Sequence, residues 1–158
     1  MTGTRVKSKV DWLRWASLAL AAAGAADAAY LTWIKLRRAQ ALFCSVGGGC
    51  DTVNNSPYSQ VYGIPIAVFG LGMYLAVILL LGLEGRAAWV ETYGRLAVFG
   101  LALTGTLYSA YLTYLELFKI HAICPYCVVS AVIVTCLLVL AVIRLSQAPP
   151  CGEDLSAE

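Results

Sequence analysis

The sequence predicts an all-α protein, an integral membrane bundle of four helices. The chain of 158 residues is 60% hydrophobic and only 13% charged, and it contains four apolar runs of membrane-crossing length. A transmembrane helix needs roughly 20 apolar residues, and an ordinary soluble domain is less apolar than this chain. Transmembrane β-strands alternate over about ten residues, and no segment here alternates in that way. We therefore expect one membrane domain over 1–158.

The four spans are predicted at about 13–34, 64–83, 96–118 and 124–145. Basic residues before the first run and small residues at 24–28 resemble a signal peptide. The apolar run continues past any such cleavage site, however, as in an uncleaved helix. A loop at 35–63 is predicted to carry redox chemistry, and a tail at 146–158 is expected to have little order.

Four cysteines are predicted to lie on one face of the membrane. An even number of spans puts the first and third loops on the same side, so Cys44 and Cys50 share a face with Cys124 and Cys127. Basic residues are more numerous at the termini and in the second loop, which favours cytoplasmic termini. The cysteines then face the extracytoplasmic side of the inner (plasma) membrane, where disulfides persist.

The segment Cys124-Pro-Tyr-Cys127 has the spacing of a thiol–disulfide redox pair. Pro125 suits the first helical position, which makes Cys124 the predicted N-cap and places Cys127 in the first turn. The helix dipole and free backbone amides at this end stabilise a thiolate. Because the pair lies at the membrane boundary, it can pass electrons to a lipid-soluble acceptor.

Other roles for these cysteines stay open at this point. They can form an inert disulfide, or they can belong to a zinc site with the ligands Cys50, His121, Cys124 and Cys127. Three glycines separate Cys44 from Cys50. Glycine lets the backbone bring two sulfurs together and leaves the segment mobile, which favours a shuttle over a static disulfide.

Several side chains inside the spans are candidates for a ligand pocket. Asp27 lies about two turns from the outer end of the first span, and a structural role and a role in proton uptake both stay open. Tyr108 and Tyr111 share one face of the third span, where they line a pocket or belong to an aromatic belt. Cys136 is predicted to be a small apolar residue of the fourth span, and Cys151 lies in the tail. Neither cysteine is expected to belong to the relay.

Together these features resemble the vitamin K epoxide reductase family. The resemblance covers nearly the whole chain and rests on Cys44-x5-Cys50, Ser56, Gly63-Ile-Pro65, Phe69-Gly70 and Cys124-x-x-Cys127. It implies a four-helix membrane bundle around a quinone, either menaquinone or ubiquinone, with an extracytoplasmic loop and half-helix that cap the pocket. It also implies a periplasmic thioredoxin-like partner, because bacterial members of the family oxidise such a protein.

The resemblance further implies a role for each relay cysteine. Cys44 forms a mixed disulfide with the partner, Cys50 attacks the inner pair at Cys124, and Cys127 donates to the quinone. Animal members of the family carry Asn at the position of Ile66 and Tyr at that of Ala131, both contacts to the quinone oxygens. Their loss indicates plain quinone reduction. The predicted quinone site consists of Ser56, Ile66, Phe69, Tyr108, Tyr111 and Ala131.

The expected function is that of a membrane thiol:quinone oxidoreductase that reoxidises a separate thioredoxin-like protein, since no such domain follows the fourth helix. One alternative is a reductase whose useful product is reduced vitamin K epoxide or quinone. Another is a non-enzymatic protein with structural disulfides or a zinc site. The quinone and the membrane lipid are the other expected partners. We expect no nucleic-acid partner, because the basic residues flank helices and form no patch, and no resident metal.

Overall fold

The computed structural model describes the chain at 3–37, 49–54, 56, 59–61, 63–84 and 88–147, with the side chains at 3–11, 51, 54, 61 and 88–92 excepted. The long helices of this part are α1 (Gly3–Arg37), α3 (Ile66–Leu83), α4 (Ala88–Leu115) and α5 (Pro125–Ser146). A short helix, α2 (Gly49–Asn54), precedes two antiparallel two-residue strands, β1 (Gln60–Val61) and β2 (Ile64–Pro65). A π-helical turn, Glu116–Ile120, continues α4.

Each long helix is long and apolar enough to cross a membrane, which confirms the predicted fold class. The membrane-spanning segments are Trp12–Arg37, Ile66–Leu83, Tyr93–Ile120 and Pro125–Ser146. The second one begins two residues later than predicted, because Pro65 donates no amide hydrogen and disfavours helical backbone in Ile64 before it. Within the predicted loop 35–63 and tail 146–158, Cys44 and Cys151 lie outside the described residues.

The four long helices form a closed ring in which α1 and α4 each contact both α3 and α5. Lipid is as apolar as the helices, so their association depends on close packing and on polar contacts. On α1, small residues allow this approach: Ala21 and Ala28 are buried, and a Cβ at Gly24 would overlap the ring of Tyr74 on α3. The Tyr74 hydroxyl lies 3.2 Å from the carbonyl oxygen and 3.1 Å from the hydroxyl of Ser130, which joins α3 to α5.

At one end of the bundle, Glu84 meets an arginine from each of the other three long helices. Its carboxylate contacts Arg144 at the end of α5, and it lies 3.9 Å from Arg14 of α1 and 3.9 Å from Arg95 of α4. Arg14 also donates to the carbonyl oxygen of Leu81 at 2.9 Å. Arg144 and Glu84 are almost fully buried, so the central ion pair of this cluster is shielded from solvent.

We expect Glu84→Ala to lower the free energy of unfolding by roughly 3–5 kcal/mol, because it leaves the buried Arg144 guanidinium without its partner. Arg14→Ala serves as the comparison. Its loss should be smaller, since Arg14 is 31% exposed and Glu84 keeps its other two arginines. Thermal unfolding of both variants in the same detergent measures the difference. Equal losses would contradict the assignment of Glu84 as the centre of the cluster.

Candidate functional site

The first turn of α5 carries the inner cysteine pair. Cys124 is the N-cap with extended backbone, Pro125 is the first helical residue, and the Val128 amide donates to the Cys124 carbonyl oxygen at 3.1 Å. Pro125 costs the helix no hydrogen bond at this position. The predicted capping arrangement is confirmed. Cys124 therefore precedes the fourth membrane-spanning segment, and Cys127 lies in its first turn.

A sharp reversal of the chain brings a carboxylate to this helix start. After the π-helical turn, His121 adopts left-handed backbone with φ of 53°, and the amides of His121 and Ala122 both donate to the Glu116 carbonyl oxygen. Such a residue ends a helix and redirects the chain. As a result the Cys124 amide donates to the Glu116 carboxylate at 3.3 Å, and the Cys127 thiol also hydrogen-bonds that carboxylate.

Cys50 of the first loop lies in the same buried cluster as Cys124, together with Ile34. The two segments approach closely at Gly49, where a Cβ would overlap the backbone carbonyl of Ile123. Cys50 is disulfide-bonded, whereas Cys124 and Cys127 are free thiols. The fold thus brings together three of the four predicted relay cysteines, and the fourth, Cys44, lies outside the described residues.

A cavity of about 360 Å³ extends from the inner cysteine pair into the bundle. Its lining is mostly apolar, with a few polar side chains, and it includes both Cys124 and Cys127. Small-molecule sites in proteins commonly have this character: apolar walls with a small number of placed polar groups. The cavity therefore has the character of a site for a small, mostly apolar ligand, and Cys127 is one of its lining residues.

The predicted quinone-site residues divide into two groups. Four of them line the cavity, and two do not. Of the two outside, Tyr111 is half exposed and its ring lies 6.3 Å from that of Tyr108, while Ala131 is partly buried on α5. Quinone contacts by these two residues stay a prediction without support from the cavity. The lining residues are Ser56, Ile66, Phe69 and Tyr108.

Three further polar side chains line the cavity, and the sequence predicted only one of them as a candidate. Asp27, which the sequence had singled out, lines the cavity, and its Oδ2 has no hydrogen-bond partner among the described residues. Glu116 and Tyr74 were missed. A signal for Glu116 existed, because it is a carboxylate within a predicted membrane span. Tyr74 gave no such signal, since an isolated tyrosine in an apolar helix is usual.

The predicted zinc ligands do not form a site in the described part of the chain. No group of three His, Cys, Asp or Glu side chains there lies close enough to hold a metal ion. His121 is exposed, and Cys50 is disulfide-bonded, so it offers no thiolate. The geometry therefore gives the zinc alternative no support.

The pKa of the Cys124 thiol is lowered from its ordinary value. The largest cause is a hydrogen bond from the Cys127 thiol, and the backbone amides of Cys127 and Tyr126 add to it. Burial of Cys124 and the negative charge of Glu116 act in the opposite direction. A lowered pKa populates the Cys124 thiolate, which is the nucleophile in disulfide exchange.

The described fold has four helices of membrane-crossing length, a cysteine pair at a helix start and a third cysteine beside that pair. These features define a class, the integral membrane proteins with thiol redox centres. The model of the vitamin K epoxide reductase family matches residues 15–142. The chain belongs to that family.

A curated relative is the thiol-disulfide oxidoreductase LTO1 of Arabidopsis thaliana, 41% identical over 112 residues. The match covers 66% of this chain but only 29% of that relative.

Replacing Gly49 tests the approach between Cys50 and Cys124. In a Cys44→Ser, Cys127→Ser background, oxidation should trap a Cys50–Cys124 disulfide, detected by mass spectrometry. Gly49→Ala should lower its yield severalfold, because the new methyl group meets the Ile123 carbonyl and the backbone must shift. Gly72→Ala is the matched control, since its Cβ meets nothing within 4 Å. An unchanged yield in Gly49→Ala would show that this contact does not set the geometry.

The lowered pKa predicts the pH at which the Cys124 thiolate forms. In reduced protein, the ultraviolet thiolate signal lost in Cys124→Ala should rise at a pH below the value near 8.5 of an ordinary cysteine. Cys127→Ala removes the donated hydrogen bond and should move this rise to higher pH. Cys136→Ala should leave it unchanged. A Cys127→Ala curve that moves to lower pH would contradict the stated cause.

Proposed function

We propose that the protein is a membrane thiol:quinone oxidoreductase that oxidises a thioredoxin-like partner. One observation carries the proposal: the inner cysteine pair contacts both the buried cluster of Cys50 and the apolar cavity. A pair in this position can receive electrons from one side and release them on the other. Thiol chemistry is also supported by the name of the curated relative, a thiol-disulfide oxidoreductase.

Electrons enter through the outer pair in this scheme. A thiolate of the partner attacks Cys44 in a Cys44–Cys50 disulfide, and Cys50 leaves as a thiolate. The partner's second thiol then attacks this mixed disulfide, which forms the partner's own disulfide and frees Cys44. The Cys50 thiolate next attacks Cys124 in the inner disulfide and releases Cys127. Attack of Cys44 on Cys50 reforms the outer disulfide and frees Cys124. Two electrons have then moved from the partner to the inner pair.

The electrons leave through Cys127. Its position on the cavity wall supports the role of donor, and a bound quinone would supply the two-electron acceptor that this step needs. The lining residues Phe69 and Ile66 offer apolar contacts, and the hydroxyls of Ser56 and Tyr108 offer hydrogen bonds to ketone oxygens. The apolar Ile66 side chain supports reduction of a simple quinone over reduction of an epoxide.

We also propose the inner (plasma) membrane as the location, with cytoplasmic termini and the cysteines on the extracytoplasmic face. The arginines Arg14, Arg95 and Arg144 meet at the end of the bundle formed by the Glu84 cluster. The cysteines lie at the other end of the same helices, where α2 contacts the π-helical turn. The positive-inside rule supports a cytoplasmic position for the arginine end.

Turnover of purified protein with a reduced thioredoxin-like donor and a soluble quinone tests the proposal. Cys127→Ala should lower turnover by roughly 10²-fold or more, because the electron pair loses its route to the cavity. Cys136→Ala is the matched control within the same helix and should keep wild-type turnover. Full turnover in Cys127→Ala would show that another sulfur faces the acceptor, and wild-type protein that oxidises no donor with a quinone would refute the function.

A further inference from the structure

We propose that Glu116 is the general base for the oxidation of Cys127, and that it carries the proton of this thiol to the acceptor in the cavity. The inference rests on the proposed function. It also rests on a specific arrangement, in which one buried carboxylate contacts both halves of the inner pair and lines the same cavity. Glu116 is 3% exposed and lies within the membrane-spanning segment Tyr93–Ile120.

The burial of Glu116 costs free energy, which indicates that this carboxylate has a functional role. Burial of a carboxylate in an apolar surrounding is unfavourable unless its oxygens are hydrogen-bonded, and such groups inside membranes mark proton and ligand pathways. The π-helical turn that begins at Glu116 is itself a rare element, frequent at functional sites. One oxygen accepts the Cys124 amide, so the side chain is held at the pair before any acceptor binds.

The proton of Cys127 has two acceptors within hydrogen-bond reach, the Cys124 sulfur and the Glu116 carboxylate. If Cys124 accepted it, Cys124 would become a thiol and would lose the nucleophilicity that closing the inner disulfide requires. Glu116 can accept the same proton and leave the Cys124 thiolate intact. A carboxylate beside the donor sulfur therefore keeps both cysteines in the states that the reaction needs.

The step balances in atoms and charge. The Cys124 thiolate, the Cys127 thiol and the Glu116 carboxylate become a Cys124–Cys127 disulfide, protonated Glu116 and two electrons. The two electrons, the proton on Glu116 and one proton from the aqueous phase convert a quinone in the cavity to a hydroquinone. Glu116 is then a carboxylate again, ready for the next reduction of the inner pair.

Glu116→Gln separates this role from simple positioning. Its amide oxygen still accepts the Cys124 amide hydrogen, so a side chain that only positions the pair would keep its effect. A general base would lose its effect, because a glutamine amide cannot take up the thiol proton. Quinone turnover should then fall about 10²-fold or more, with little change in the KM for the quinone. Glu116→Asp keeps a carboxylate and should retain more turnover than Glu116→Gln. Cys136→Ala is the control, because Cys136 is exposed on α5 and lies outside the cavity lining.

A second readout needs no quinone. The S–H stretching band of Cys127 in the infrared spectrum of protein with a reduced inner pair, identified by its loss in Cys127→Ala, reports the hydrogen bond. In Glu116→Gln this band should move to higher frequency, since an amide accepts more weakly than a carboxylate. Each variant should still oxidise a stoichiometric amount of the thiol donor in the absence of quinone. This result shows that the variant is folded and that its disulfides are intact.

The outcomes are distinct. Lower turnover and a shifted band in Glu116→Gln support the inference. Wild-type turnover in that variant, or an unchanged S–H band, overturns it while the proposed function stands. If wild-type protein reduces no quinone, the proposed function fails and the inference fails with it.

Discussion

Helices in a bilayer gain little from the hydrophobic effect when they associate, so polar contacts and small residues must hold this bundle together. Glu84 supplies the polar contacts at one end, where it meets Arg14, Arg95 and Arg144 of the other three long helices. Near the middle, Gly24 lets α1 approach Tyr74, whose hydroxyl contacts α5. These contacts fix the ring of helices, and the cavity at the other end depends on that ring.

The chemistry is concentrated at the opposite end because three backbone features converge there. Gly49 lets α2 lie against Ile123, Pro125 begins α5 directly after Cys124, and the left-handed backbone of His121 turns the chain between them. Cys50, the inner pair and a carboxylate then meet within one buried region. Burial would shield the proposed exchange steps from competing thiols, and the adjoining cavity is the exit for electrons in the proposed scheme.

The two thiols of the inner pair are chemically unequal although they are three residues apart. Cys124 accepts hydrogen bonds and has a lowered pKa, which suits exchange with Cys50. The single thiol hydrogen of Cys127 has Cys124 and Glu116 as its two possible acceptors, and Cys127 lines the cavity. In the proposed scheme, this single helix start therefore holds both the exchange partner for Cys50 and the donor to the quinone.

The sequence by itself determined the four spans and the N-cap at Cys124, because these follow from run length and proline geometry. The parity of crossings also predicted that Cys50 lies at the same end of the bundle as the inner pair, as the structure shows. The sequence also pointed to Ser56, Ile66, Phe69 and Tyr108, which the cavity brings together. It could not separate these four from Tyr111 and Ala131, since helical spacing does not say which neighbour a face meets. Only the tertiary structure decided that Glu116 reaches the inner pair. That contact depends on a π-helical turn and on left-handed backbone in His121, and neither has a reliable sequence signal.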